Sequence, residues 1–347
     1  MTLRKDTITG RSFPADFLEP YRYLGDPLAD VVVDEVASQG GHATVGPLMR
    51  FLTDYEDFDL EAQPDVVREF INSQATFPVH TDKEQFKEGI DFFWKHYQLV
   101  SLLLGTYALP YCYAGANGAK VLWISERIKN NTFQRLEETG AFVFGIMQER
   151  DWQNGVNFQR IAKIRLLHAA VRWFTLNSGK WDVAWGHPVC QEDMTGTNLS
   201  FSFIIIKGLR KLNITVSKQE EEAFLYFWNV VGELLGVVPE LLPQNMLEAY
   251  RLDKGVAERQ FTSSEAGQGL TKSLLKAIEQ QITSPTLQNL PAAQMRFFLG
   301  KKIADILDVP EVAWEEGFVK LALQTPIFPK LMSLQKPASP VLEKYWR

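Results

Sequence analysis

The chain has 347 residues, of which 46% are hydrophobic and 22% charged, as is usual for a globular protein. Its formal net charge of −6 argues against a nucleic-acid-binding protein, because such proteins normally present a basic face. The two cysteines, Cys112 and Cys190, share no CxxC spacing, so neither a zinc site nor a disulfide framework is expected. We infer a reducing compartment and, since the first residues lack an apolar signal segment, a cytoplasmic protein.

Apolar residues recur every three or four positions along most of the chain, which predicts helices. These helices are expected at residues 61–75, 83–108, 130–147, 157–178, 188–207, 217–236 and 263–282. Ser217 fits an N-cap, Pro188 fits a first helical position, and Gly236 fits a helix end. The heptapeptide KLNITVS (211–217) fits a short strand or an extended connector, and the proline-rich end (324–347) fits an extended surface segment. We therefore predict an all-α protein with one domain over 1–347.

Residues 97–119 carry no charge and must be weighed as a membrane span. The segment contains Gln98, Pro110, Asn117 and several glycines, which suit a lipid-facing helix poorly. A buried core helix that ends near Pro110 is the better interpretation, so no stable membrane span is expected.

The segment AKIRLLHAAVRW (162–173) places a histidine between two arginines in an otherwise apolar run. On a helix of 3.6 residues per turn, Arg165, His168 and Arg172 lie within about 60° of one another and form one polar stripe. Because the remaining surface is apolar, the helix is expected to be buried and its guanidinium groups to have partners.

The two arginines and burial both favour a neutral imidazole, which is the form that ligates a metal. Heme fits the stripe, since its iron takes an axial histidine and its propionates take guanidinium hydrogen bonds. The alternative is an ordinary buried histidine beside salt-bridged arginines, and the spacing alone favours this structural interpretation.

The segment IRLLHAAVR resembles the heme helix of the latex-clearing protein, or rubber oxygenase, family, which includes an ER-bound oxygenase of mycophenolic acid biosynthesis. Three further segments resemble motifs of that family in the same order. They are FQRLEETGAFVF (133–144), WGHPVCQEDMTGTNLSFS (185–202) and YFWNVVGELLGVVPELLP (226–243). Each of the four segments is a weak signal alone. Together they span about residues 90–245, and they favour a heme-ligating His168 over a purely structural one.

The resemblance implies a globin-like, heme-binding oxygenase core at 90–245, with flanking helical segments at 1–89 and 246–347 covering it. It implies heme b as the cofactor, His168 as the proximal iron ligand, and Arg165 and Arg172 as residues that hold the heme.

The resemblance also places Arg135 and Thr139 on the distal side, and their i, i+4 spacing independently puts them on one helical face. Glu138 stands where latex-clearing proteins have a lysine that can close onto the iron. If Glu138 faces the pocket, it is a candidate general base; otherwise it is an exposed residue that pairs with Arg135.

The function implied is a heme-dependent oxygenase that uses O2 on a hydrophobic isoprenoid, terpenoid or lipid-like substrate. The family reaction is dioxygenase-type, with oxidative cleavage of a double bond to carbonyl products. Two alternatives stay open: a non-catalytic heme carrier or gas sensor, and a cofactor-free helical protein that binds hydrophobic molecules. The sequence leaves the oligomeric state open.

Overall fold

The computed structural model describes residues 10–54, 58–125, 127–282 and 287–312, apart from the side chains of 127–131 and 133–135. Within these ranges the chain is all-α, as predicted, and its only β feature is an isolated bridge between Gly115 and Phe261. The proline-rich segment 324–347 lies outside the described residues.

The helices that position the site are named in chain order. They are α1 (Ala15–Arg22), α2 (Pro27–Ser38), α3 (His42–Thr53), α4 (Asp65–Ser73), α5 (Lys83–Leu103), α6 (Leu109–Tyr113), α7 (Ala116–Ile124), α8 (Arg127–Ile146), α9 (Glu149–Gln153), α10 (Val156–Leu176), α11 (Gln191–Phe201), α12 (Phe203–Lys211), α13 (Lys218–Leu234), α14 (Met246–Gln260), α15 (Glu265–Glu279), α16 (Leu290–Leu299) and α17 (Lys301–Ile306). Short 3-10 turns at Val183–Trp185 and Pro239–Leu241 connect neighbouring helices.

Helix α13 shows how local chemistry sets the helix ends. The Ser217 hydroxyl accepts a hydrogen bond from the Glu220 N–H (3.2 Å), and the Glu220 carboxylate accepts one from the Ser217 N–H (2.8 Å). This capping box satisfies two N–H groups that the helix itself leaves without partners. Gly236 follows the helix end with φ +89°, a conformation that favours glycine. Both predicted boundaries are confirmed, and KLNITVS contains an extended connector with no strand.

The predicted helix over 188–207 is wrong at its start and in its middle. Pro188 lies in a turn, and α11 begins only at Gln191, with the Cys190 thiol at its N-cap. The helical path then breaks at Ser202, whose hydroxyl donates to the Asn198 carbonyl at 2.8 Å. A hydroxyl that binds a carbonyl four residues back competes with the helix ladder, and helices bend at such places.

The expected helix end near Pro110 is also wrong, because the chain stays helical to Tyr113. Residues Leu104–Ala108 form a π-helical turn, in which the Leu109 N–H bonds to the Leu104 carbonyl. The wider turn accommodates Pro110, which has no N–H to donate, at the start of α6. In the described part of the chain, no helix combines the length and apolar character that crossing a membrane requires.

Two hydrophobic clusters hold the helices together. The larger joins α5 and α13, which pack closely at Gly89: a Cβ there would lie 2.6 Å from the Ala223 carbonyl oxygen. The smaller joins α2, α3 and α4 to one face of α10, through residues such as Leu166 and Ala170. Helix α10 also contributes Phe158 to the larger cluster, so it lies between the two.

Candidate functional site

A cavity of about 690 Å³ lies inside the helical assembly. Its walls come from α3, α6, α7, α8, α10, α11, α13 and α14, and most of the side chains that line it are apolar. This volume is within the range of small-molecule and cofactor sites, which are about 300–1,000 Å³ and predominantly apolar.

One face of α10 forms part of the cavity wall, and half-buried His168 lies on it. On a helix of about 3.6 residues per turn, Ile164 and Val171 lie about 40–60° to one side of His168. These two residues also line the cavity, whereas Arg165 and Arg172, about 40–60° to the other side, do not. The predicted polar stripe is therefore only partly on the cavity wall: His168 faces the cavity, whereas Arg165 and Arg172 lie behind the wall.

Arg165 binds Asp26 of the loop before α2. Its Nε and Nη2 donate to the two Asp26 carboxylate oxygens at 2.6 and 2.9 Å, and Nη1 donates to the Gln74 side-chain oxygen at 3.0 Å. Arg165 is 7% exposed and Asp26 3% exposed, so this is a buried, two-pronged ion pair. Gly236 closes over the pair: a Cβ there would lie 2.7 Å from the Arg165 Nε.

Arg172, only 1% exposed, donates from Nε to Asp30 of α2 at 2.5 Å and from Nη1 to the Val189 carbonyl at 3.2 Å. Burial raises the pKa of Asp30 above its ordinary value, and the Arg172 guanidinium offsets part of that rise. The expectation that both guanidinium groups have partners is confirmed. The sequence reasoning did not find these partners; the available signal was an acidic pair four residues apart at the start of an apolar helix.

Helix α8 carries the residues that the family resemblance assigns to the distal side of the heme. Glu138 and Thr139, both half-buried, line the cavity together with Phe142. Glu138 is therefore a wall residue of the cavity and not a fully exposed one. Arg135 lies on the same helix, but its side chain is outside the described residues.

The cavity wall also carries charged residues that the sequence did not single out. Buried Asp253 of α14 accepts a hydrogen bond from the Tyr111 hydroxyl at 2.7 Å, and burial raises the pKa of Asp253 to about 6. Glu192 of α11, fully buried, accepts from the Arg259 Nε at 2.7 Å. Arg160 of α10 lines the wall as well. Glu192 lies within the family-like segment 185–202, whereas no motif marks Asp253 or Arg160; helix packing brings all three to the wall of one cavity.

Two other residues of a type that can ligate iron, His187 and Cys190, lie outside the cavity lining. His187 does not line the cavity, and its Nδ1 is 3.1 Å from the Pro188 carbonyl oxygen. Burial lowers the pKa of His187. Cys190 is buried, and its thiol caps the start of α11. Within the described ranges, no group of three or more His, Cys, Asp or Glu side chains is placed to hold a bare metal ion.

The fold and the site define a class: a helical protein with a large apolar cavity, on whose wall lie His42 of α3, His168 of α10 and the Glu138 carboxylate of α8. The chain belongs to the family described as "ER-bound oxygenase mpaB/B'/Rubber oxygenase, catalytic domain", which it matches over residues 94–324. The predicted family membership is thus confirmed.

Two relatives are similar over most of their length. The rubber oxygenase of Streptomyces sp. (strain K30) is 24% identical over 318 residues, which cover 86% of this chain and 78% of that protein. The solved structure of latex clearing protein LCP in the closed state has a TM-score of 0.71 at 21% identity. That match covers 93% of this chain and 90% of the other, and it shows a shared helical fold.

Proposed function

We propose that this protein is a heme b-dependent oxygenase that oxidises a double bond of a hydrophobic isoprenoid, terpenoid or lipid-like substrate with O2. Membership of an oxygenase family supports the reaction class. The observation that carries the proposal is the position of His168 on the wall of the 690 Å³ cavity that Glu138 and Thr139 also line.

The residues around His168 fit a heme. A neutral imidazole is a common axial ligand of heme iron, and the side chains beside it, Ile164 and Val171, are apolar. His168 comes from a helix held between two hydrophobic clusters, so its position is well defined. Bound there, heme b would supply the redox-active iron at which O2 is activated.

We propose that Arg165 and Arg172 support the cofactor by positioning α10, because their guanidinium groups bind Asp26 and Asp30 behind the wall. The cations on the wall itself lie about one to two turns before His168 on α10. Arg160 and Lys163 both line the cavity in the described part of the chain, and they are the ones we assign to the heme propionates.

The proposed reaction balances with O2 and the substrate alone. The C=C bond breaks, each of its carbons receives one oxygen atom, and two carbonyl groups form. The alkene is the species oxidised and O2 the species reduced, so the reaction consumes no separate reductant.

We assign the chemistry of the distal side to α8. Glu138 acts as a general base, taking and returning a proton at a carboxylate oxygen, while Thr139 orients the reacting groups through its hydroxyl. The apolar wall excludes water from the site. Arg135 is proposed as the third distal residue on the basis of its i, i+4 relation to Thr139.

The experiment that tests the proposal measures product formation from an isoprenoid under air, with heme content determined in the same samples. Wild type is expected to form carbonyl products, and Arg135→Ala is expected to keep its heme but lose most of the activity. A heme-loaded wild type that forms no product would favour a carrier or sensor, and a protein without heme would favour a cofactor-free binding protein.

A further inference from the structure

On the cavity wall formed by α11 and α13, two buried polar groups of neutral side chains lack a hydrogen-bond partner among the described residues. They are the side-chain oxygen Oδ1 of Asn198 on α11 and the indole Nε1 of Trp228 on α13. Asn198 is 7% exposed and Trp228 is 2% exposed. Because a buried donor or acceptor without a partner is destabilising, folded proteins leave few of them, and those at a cavity point to a ligand.

The two residues are neighbours in the fold. Trp228 and Gly232 are one turn apart on α13, and a Cβ at Gly232 would lie 3.1 Å from the Asn198 Nδ2. Phe201, one turn after Asn198 on α11, stacks on Trp228 with ring centroids 5.1 Å apart and planes 20° apart. The absence of a side chain at Gly232 therefore leaves room for Asn198 beside Trp228.

The pair consists of one acceptor and one donor. A hydroxyl group can donate to the Asn198 oxygen and accept from the Trp228 N–H, so a single hydroxyl satisfies both. A ketone or ester carbonyl has no proton for Asn198, and an ammonium has no lone pair for Trp228.

The charges nearby disfavour an acid at the same place. Four carboxylates line this cavity: Glu138, Glu192, Asp193 and Asp253. In the described part of the chain, the arginine and lysine side chains on the wall are Arg160 and Lys163, and both belong to α10. A carboxylate ligand beside Asn198 and Trp228 would thus meet negative charge on α11 and α14.

We propose that Asn198 and Trp228 form a subsite for the hydroxyl group of an isoprenoid alcohol. The inference rests on the proposed function, and it narrows the substrate from a plain hydrocarbon to an amphiphile with a neutral hydroxyl. Phe201 and the other apolar side chains of the wall contact the hydrocarbon next to that hydroxyl.

The test compares equilibrium binding of farnesol, farnesene and farnesoic acid to the purified holoprotein, with each ligand delivered from the same detergent. Hydrophobic transfer alone favours the hydrocarbon, so a preference for the alcohol reports the hydrogen bonds. We expect farnesol to bind about tenfold more tightly than either of the other two.

The variants locate the effect. Asn198→Ala and Trp228→Phe are each expected to remove most of the preference for farnesol over farnesene. Trp94→Phe is the matched control, since it also removes an indole N–H. That N–H donates to the Met147 carbonyl at 2.8 Å, and Trp94 does not line the cavity. Trp94→Phe is expected to keep the full preference for farnesol. The measured quantity is the ratio of the farnesol and farnesene affinities of one variant, so a general loss of stability does not change it.

The outcomes separate this proposal from the oxygenase proposal. Equal or tighter binding of farnesene by wild type, or no binding of any of the three, overturns the subsite even when isoprenoid oxidation is observed. A full preference retained in both Asn198→Ala and Trp228→Phe also overturns it. A clear farnesol preference in a protein that oxidises no isoprenoid supports the subsite and refutes the oxygenase.

Discussion

Asp253 is a buried carboxyl group on the cavity wall, and its replacement should change how stability depends on pH. Its pKa is raised from the ordinary 3.8 to about 6, because burial outweighs both the Tyr111 hydrogen bond and the Lys207 ammonium at 4.0 Å. The folded protein therefore binds this proton more tightly than the unfolded chain. As the pH rises from about 4 to about 6, the unfolded chain loses its proton first, and the free energy of unfolding falls.

The size of the effect follows from the rise in pKa. One unit of pKa corresponds to about 1.4 kcal/mol, so ionising Asp253 in the folded protein costs about 3 kcal/mol of stability above pH 6. Asparagine resembles the protonated acid, and its side-chain oxygen can still accept from Tyr111. Asp253→Asn is therefore expected to be as stable as wild type near pH 4 and about 3 kcal/mol more stable near pH 8.

The assay is urea unfolding at a series of pH values from 4 to 8, followed by circular dichroism. Asp34→Asn, which removes an exposed carboxylate, controls for the change in net charge. Parallel pH profiles for wild type and Asp253→Asn would refute the reasoning, because they would show that Asp253 binds its proton equally in both states.

The remaining predictions concern α10 and α8. Arg165→Met should cost about 3–5 kcal/mol in urea unfolding, because it leaves the Asp26 carboxylate buried without its cation. Arg165→Met should also load less heme, because α10 loses its support. Adding Asp26→Asn should recover part of the lost stability and of the lost heme; heme that stays lost in the double variant would mean that Arg165 contacts the cofactor directly. Glu138→Gln should retain heme but lose most isoprenoid oxidation, whereas unchanged turnover would remove Glu138 as the base.

Local sequence signals predicted the helices well where the chemistry of the helix ends is local. The Ser217 capping box and the glycine at 236 mark the ends of α13 with groups a few residues away. The periodicity of 157–178 likewise located α10 within two residues at each end. The break at Ser202 was missed because the apolar pattern continues across it.

The site was predictable in part. Four weak motifs in order, which resemble one family, directed attention to His168 and to Glu138 and Thr139 of α8, and all three line one cavity. The partners of the arginines were not predictable, since Asp26 is 139 residues from Arg165 in the chain. The role of Asp253 was not predictable for the same reason: its partner Tyr111 is 142 residues away in the chain, and only the helix packing brings the two together.

The central claim is that His168 ligates a heme iron in this cavity, and an absorption spectrum tests it most directly. Spectra of the purified protein should be recorded oxidised, reduced and reduced with CO, for wild type and His168→Ala, after expression with sufficient iron and heme precursor. The account predicts a Soret band that shifts on reduction and with CO in wild type and is lost in His168→Ala. A wild type without a Soret band, or a His168→Ala variant with full heme and an unchanged spectrum, would contradict it.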